Sequence, residues 1–221
     1  MLSLHNVIII MIDGGRYDRS INSDFYKKLK EKSSFFSQPI TYAPHTIAAM
    51  HAVFSGCYGI RTGTDSYWST YKFKKNQFKT ITEYLHDQNY YTSADIVSEI
   101  VIPKQGFDEF QIHDEEKDDL TLRHLELIEK TYANNKNKNF FLYLQFSDIH
   151  TGISNEVLRV YDNFSEEYFQ NKKLNKKRYD ELFKKSEFYL DKILEKINSL
   201  GLEKNSVILV MSDHGISVGE K

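Results

Sequence analysis

The sequence predicts an α/β protein built on a mostly parallel sheet. Two observations carry that prediction. Short runs of β-branched and aromatic residues lack polar alternation, and segments with helical apolar spacing lie between them. A third observation points to function: the three most apolar runs all exit into an aspartate.

Val7–Ile12 (VIIIMI) reads as the first strand, buried on both faces, and runs into Asp13-Gly14-Gly15-Arg16. Thr46 to Val53 can form a helix of small residues, and Thr80–His86 carries apolar positions at helical spacing. Tyr90–Ile96 reads as another strand. Asp118–Tyr132 has Leu122, Leu125, Ile128 and Tyr132 at a 3–4 spacing, the pattern of a helix. Asn134–Asn139 is a polar turn before the buried strand Phe140–Phe146 (FFLYLQF). Gly152–Lys177 holds little regular signal. Tyr179–Leu200 is a long amphipathic helix with Leu182, Phe183, Leu190, Ile193, Leu194, Ile197 and Leu200 on one side, and Gly201 stops it. Val207–Met211 (VILVM) is the last buried strand. No internal repeat and no domain boundary is visible, so 1–221 reads as a single domain.

Bulk properties narrow the function. The 221 residues are 40% hydrophobic and 27% charged with a formal net charge of -2, the profile of an ordinary soluble globular protein. That balance points to neither a nucleic-acid nor a membrane partner. The one basic run, Lys172 to Arg178, reads as a solvated loop or helix start. Cys57 is the only cysteine, so no intrachain disulfide can form and a reducing compartment is permitted. No stretch approaches the roughly 20 apolar residues of a membrane helix, and MLSLHN lacks the parts of a signal peptide. A cytoplasmic protein is the default expectation.

The acid-ended strands need a reason. VIIIMI is followed by Asp13, FFLYLQF by Ser147-Asp148-Ile149-His150, and VILVM by Ser212-Asp213-His214-Gly215. Parallel strands place such exits on one edge of the sheet, where ligands bind in open α/β folds. Carboxylates and imidazoles converging there suit a divalent cation, which removes their mutual repulsion. Asp13, Asp213 and His214 are therefore candidate ligands. The competing readings are a helix cap for Asp13, a turn cap for Asp213 and a core histidine for His214. His150 fits either substrate binding or ligation. Thr46, at the start of its helix, is either an N-cap or a hydroxyl held at the positive end of the helix dipole, where a nearby metal would make it a nucleophile.

At this point the chain resembles the alkaline phosphatase superfamily, in its sulfatase and nucleotide pyrophosphatase/phosphodiesterase branches. IDGGRYD (12–18) is similar to the first metal motif, Asp-Gly-x-Arg-x-Asp or Asp-Ser-x-Arg-x-Asp. TIAAMHAVFSG (46–56) keeps the family spacing from nucleophile to the Gly that closes the helix, and CYGIRTG resembles its continuation. GFDEF (106–110), FLYLQFSDIH and the segment from Arg178 to Glu220 with its Ser-Asp-His-Gly motif follow in the family's order. The resemblance implies a three-layer α/β/α sandwich with an alkaline phosphatase-like parallel sheet. It implies a divalent metal ion on Asp13, Asp213, His214 and Thr46, with Thr46 attacking phosphorus or sulfur; Asp, His and Thr ligation suits zinc and manganese, and calcium or magnesium in an oxygen-rich site. It gives His150 a role on the substrate anion or a second metal. His51 and Arg61 would steady anionic oxygens of a small ester substrate, although either also reads as an ordinary surface residue.

Departures from the family pattern shape the expectation further. Thr46-Ile47-Ala48-Ala49-Met50 replaces the Cys-x-Pro-Ser-Arg of formylglycine sulfatases, and threonine cannot become formylglycine. Gly14 stands where those sulfatases carry a second Asp ligand. Both favour phosphoryl transfer over sulfate hydrolysis. The family chain continues past its Asp-His-Gly motif, whereas this sequence stops at Lys221, so the family fold is expected to lack its C-terminal part. That stop leaves a second reading, a non-catalytic metal- or anion-binding member.

Overall fold

The computed structural model describes residues 5–66, 72–153 and 166–220. Five strands, β1 (Asn6–Ile12), β2 (Tyr91–Ile96), β3 (Glu109–Ile112), β4 (Phe140–Phe146) and β5 (Ser206–Met211), form an all-parallel sheet in the order β3-β2-β4-β1-β5. Burial follows this order. β4, at the centre, is buried at every residue, whereas the edge strand β5 leaves Val207 and Leu209 exposed. A strand covered on both faces needs no polar alternation, which is why FFLYLQF has almost none.

Helices lie on both faces. α1 (Tyr17–Ser20), α2 (Asp24–Lys30), α3 (Thr46–Ser55), α4 (Gly59–Thr62) and α5 (Ile81–Asp87) precede β2. α6 (Leu120–Asn134) leads into β4, residues 148–153 are helical, and α7 (Glu166–Gln170) and α8 (Lys172–Ser199) lead into β5. One core packs Ile8, Ile10, Leu142 and Leu144 against Ile128 of α6 and Leu190 and Ile193 of α8. The other packs Ile9, Met11, Phe141 and Tyr143 against Met50 and Phe54 of α3. Odd and even residues of β1 thus serve opposite cores, the period of two that a strand imposes. The result is the three-layer α/β/α arrangement.

Two details of this frame position the site. β1 and β5 are neighbours with Met11 opposite Met211, so Asp13 and Asp213 leave the sheet side by side, each two residues further on. α3 starts at Thr46 because His45 is extended (φ -149°) and its ring accepts from Ala48 N at 3.5 Å. It ends at Gly56 in the left-handed region (φ 64°).

The structure corrects the reading of Gly152–Lys177 as irregular. Residues 166–170 are helical, and α8 begins at Lys172, inside the basic run. That first turn carries no apolar stripe, but Asn175 is buried and donates to Tyr168 O at 2.7 Å. β3 was not expected, and residues 154–165 lie outside the described part of the chain. Gly201 ends the long helix as expected, with φ 69°.

Candidate metal centre

Asp13 and Asp213 are buried, 2% and 3% exposed, at the C-terminal edge of the sheet. Each has one oxygen bonded and one orphaned. Asp13 Oδ2 accepts from Gln145 Nε2 at 2.8 Å and from Thr46 Oγ1 at 3.4 Å. Asp213 Oδ1 accepts from the backbone N–H groups of His214 (2.9 Å) and Gly14 (3.3 Å). Asp13 Oδ1 and Asp213 Oδ2 have no hydrogen-bond partner. His214 Nε2 lies 3.7 Å from the first and 3.4 Å from the second, beyond good hydrogen-bond range for two acceptors at once. Its other nitrogen, Nδ1, faces Gly215 O at 2.9 Å. Only a protonated nitrogen can face a carbonyl, so in neutral imidazole Nε2 keeps its lone pair for the cluster.

Three ligand atoms from Asp13, Asp213 and His214 therefore converge, all within 4.8 Å of one another. Burial and the neighbouring Asp213 carboxylate push the Asp13 carboxyl well up, and the bonds from Gln145 and Thr46 only partly oppose this. Orphaned buried carboxylate oxygens are costly unless a cation pairs them. The donor set of two carboxylates and one imidazole fits a divalent metal. Thr46 Oγ1 completes the ring, 3.2 Å from His214 Nε2.

The supporting turns are tightly held. The Tyr179 hydroxyl, from α8, donates to Gly14 O and accepts from Arg16 N, both at 2.8 Å, and so spans the turn after Asp13. Arg16 donates to Ile216 O at 2.8 Å and pairs with Glu220 at 2.9 Å, tying the loop after β5 to the same turn. Gly14 has φ 74°, and a Cβ there would lie 2.4 Å from Ile216 Cδ1. A side chain at the position where the resemblance puts a second aspartate would be strained in this backbone and would displace the Ile216 side chain.

The other candidates are placed differently. His150, in the helical segment 148–153, is half-buried. Burial and the nearby His214 hold its ring below the ordinary histidine value, with Asp213 and Glu115 opposing. It thus lies near enough to His214 and Asp213 to feel their charge, though no described hydrogen bond joins it to those side chains. His51 is buried, with Nδ1 2.7 Å from Ile47 O and its ring edge-on to Phe73. Arg61 is exposed, its guanidinium 5.8 Å over the Phe78 ring. Neither has a described contact with the cluster. Asp148, the third strand-end acid, turns away. Burial raises its carboxyl, with Lys185 opposing, and it lines a surface cleft with Lys117, Glu181 and Lys185.

A second buried cluster escaped sequence reasoning. Asp95, at the end of β2, meets His113 Nδ1 at 2.6 Å and Arg123 Nε at 2.5 Å, with His124 Nε2 at 3.6 Å. Burial alone would raise the Asp95 carboxyl, but His113, His124 and Arg123 together hold it well below the usual range. Arg123 already supplies its counter-charge, so we read this cluster as a structural hub. Gln145 also escaped, since inside FFLYLQF it looks like one polar interruption of a strand.

The family model described as Sulfatase matches residues 5–221. The chain belongs to the sulfatase family. No curated protein matches it. Among solved structures, this sulfatase-family chain is similar to yidJ from Bacteroides fragilis (16% identity, TM-score 0.72, covering 98% of this chain and 63% of that one). It is similar to the lipoteichoic acid synthase LtaP from Listeria monocytogenes (16%, 0.69, 96% and 57%). It is also similar to murine ectonucleotide pyrophosphatase/phosphodiesterase 5, solved in an inactive threonine-to-alanine form with AMP (11%, 0.67, 96% and 57%). At these identities the likeness shows the fold alone. The chain spans 57% to 63% of the length of these solved chains. Among the described residues no helix is long and apolar enough to cross a membrane.

Proposed function

We propose that this chain carries the metal-dependent centre of an ester hydrolase or transferase, with Thr46 as nucleophile and phosphoryl transfer as its chemistry. The observation that carries the reading is the convergence of two orphaned carboxylate oxygens and the His214 Nε2 lone pair beside the Thr46 hydroxyl. Asp13, Asp213 and His214 would hold a zinc, manganese, calcium or magnesium ion. When bound, such an ion lowers the pKa of the neighbouring hydroxyl and offsets charge on the ester oxygens.

The residues of the chain do the rest. Thr46 sits at the first turn of α3, where backbone N–H groups and the helix dipole favour an anionic group. Its Oγ1 forms the bond to phosphorus as the bond to the leaving alcohol breaks. The hydroxyl proton goes to solvent, and the departing alkoxide takes one back. Water then cleaves the Thr46 Oγ1–phosphorus bond, or a second alcohol does so in a transferase. His150 contacts the substrate's anionic oxygens from across the cluster; His51, buried against Phe73, and Arg61, over the Phe78 ring, take no part in this reading.

The threonine favours phosphate over sulfate esters because it cannot form the aldehyde hydrate of formylglycine enzymes. Murine ectonucleotide pyrophosphatase/phosphodiesterase 5, inactive in a threonine-to-alanine form, gives the analogy. The test is hydrolysis of p-nitrophenyl phosphate, bis-p-nitrophenyl phosphate and p-nitrophenyl sulfate with and without added metal. Metal-dependent turnover of a phosphate ester, lost in Thr46→Ala, is the expected result. Turnover unchanged in Thr46→Ala, or of the sulfate alone, contradicts the proposal.

A further inference from the structure

Gln145 is wholly buried on β4, yet both ends of its amide are engaged. Its Oε1 accepts from Val97 N, at the exit of β2, at 3.1 Å. Its Nε2 donates to Asp13 Oδ2, at the exit of β1, at 2.8 Å. The side chain thus runs along the upper edge of the sheet across three neighbouring strands.

The first bond decides the second. A backbone N–H can only donate, so Val97 fixes which end of the amide is oxygen. The NH2 group must then face Asp13. A donor at Oδ2 holds that oxygen in place and leaves Oδ1, the orphan, turned toward Asp213 and His214. Register supports the same geometry: Gln145 is opposite Met11, and Asp13 follows Met11 by two residues, just past the end of β1, so the amide needs to reach only about one pleat along the neighbouring chain.

We infer that Gln145 is a positioning residue: locked by the Val97 N–H, it selects the Asp13 oxygen that faces the cation. The inference rests on the metal reading given above and deepens it. Outer partners of this kind orient a ligand before the ion arrives, and their loss commonly weakens metal affinity 10–100-fold.

The experiment is titration of metal-free protein with Mn2+, followed by the ligand-field spectrum of the Co2+ form, in wild type, Gln145→Met and Gln145→Asn. Methionine keeps the side-chain volume but offers no donor. Asparagine keeps the amide but withdraws it by one methylene, so the two variants perturb packing in different ways. Circular dichroism of the metal-free proteins identifies which are folded. The expected result is Mn2+ affinity about 10–100-fold weaker in each folded variant, with a changed Co2+ spectrum. A purely structural role would lower stability but leave the affinity and spectrum of the folded fraction alone. Wild-type affinity and spectrum in either folded variant overturn the inference while leaving the metal reading intact. A wild type that binds neither ion overturns the metal reading and the role of Gln145 with it.

Discussion

At the scale of residues, one polar atom per side chain separates function from packing. Asp13, Asp213 and His214 were legible in the sequence as candidate ligands because each follows an apolar strand, although β5 proves to be a half-exposed edge strand rather than a buried one. Asp148 has the same signature, but the chain turns into a helix at once and carries it to the cleft beside Lys185. Gln145 was not legible, since its partners lie 48 and 132 positions away and no local pattern links them. His51 shows the opposite case, a histidine with a structural signature. Burial holds its ring at about 4, below the ordinary 6.5, with the bond to Ile47 O opposing. The unfolded chain therefore takes up a proton near pH 6.5 that the folded chain refuses until about pH 4. Stability from this residue is full above that window and is lost as pH falls through it, by about 2 kcal/mol between pH 7 and pH 5. Urea unfolding at the two pH values should show that drop reduced by about the same amount in His51→Phe. An identical drop in both proteins would exclude His51 as the source.

At the scale of elements, the strands were easier to read than the helices that cover them. β1, β4 and β5 announce themselves by apolar runs, and the structure shifts their ends by a residue at most. β3 (EFQI) was hidden because a four-residue edge strand with two polar residues carries too little pattern. The start of α8 was hidden for a related reason: KKLNKK has no apolar stripe, and what holds it is the bond from Asn175 to Tyr168. The same helix reaches the site through Tyr179, whose ring also lies 5.8 Å from the guanidinium carbons of Arg16 and Arg19. Tyr179→Phe keeps those ring contacts and removes only the hydroxyl that spans Gly14 and Arg16. The expected cost is about 1–3 kcal/mol in denaturant unfolding, because two backbone groups lose their partner. A cost near zero would mean that the turn finds its hydrogen bonds elsewhere.

At the scale of the whole molecule, the order β4-β1-β5 is what joins the two ends of the sequence into one centre. Asp13 and Asp213 are 200 residues apart in the chain and leave the sheet from adjacent strands. Folding thus brings two carboxylates together out of water, and the repulsion that results must be borne by the metal-free protein. Binding of a cation to the folded state alone then adds stability by mass action. The central claim is that Asp13, Asp213 and His214 form a cation site, and thermal unfolding with and without Mn2+ tests it most directly, in wild type and Asp213→Asn. The account predicts that Mn2+ raises the wild-type Tm, and that metal-free Asp213→Asn melts at or above metal-free wild type but no longer responds to the ion. A wild type indifferent to Mn2+, or an Asp213→Asn protein that responds as wild type does, would contradict it.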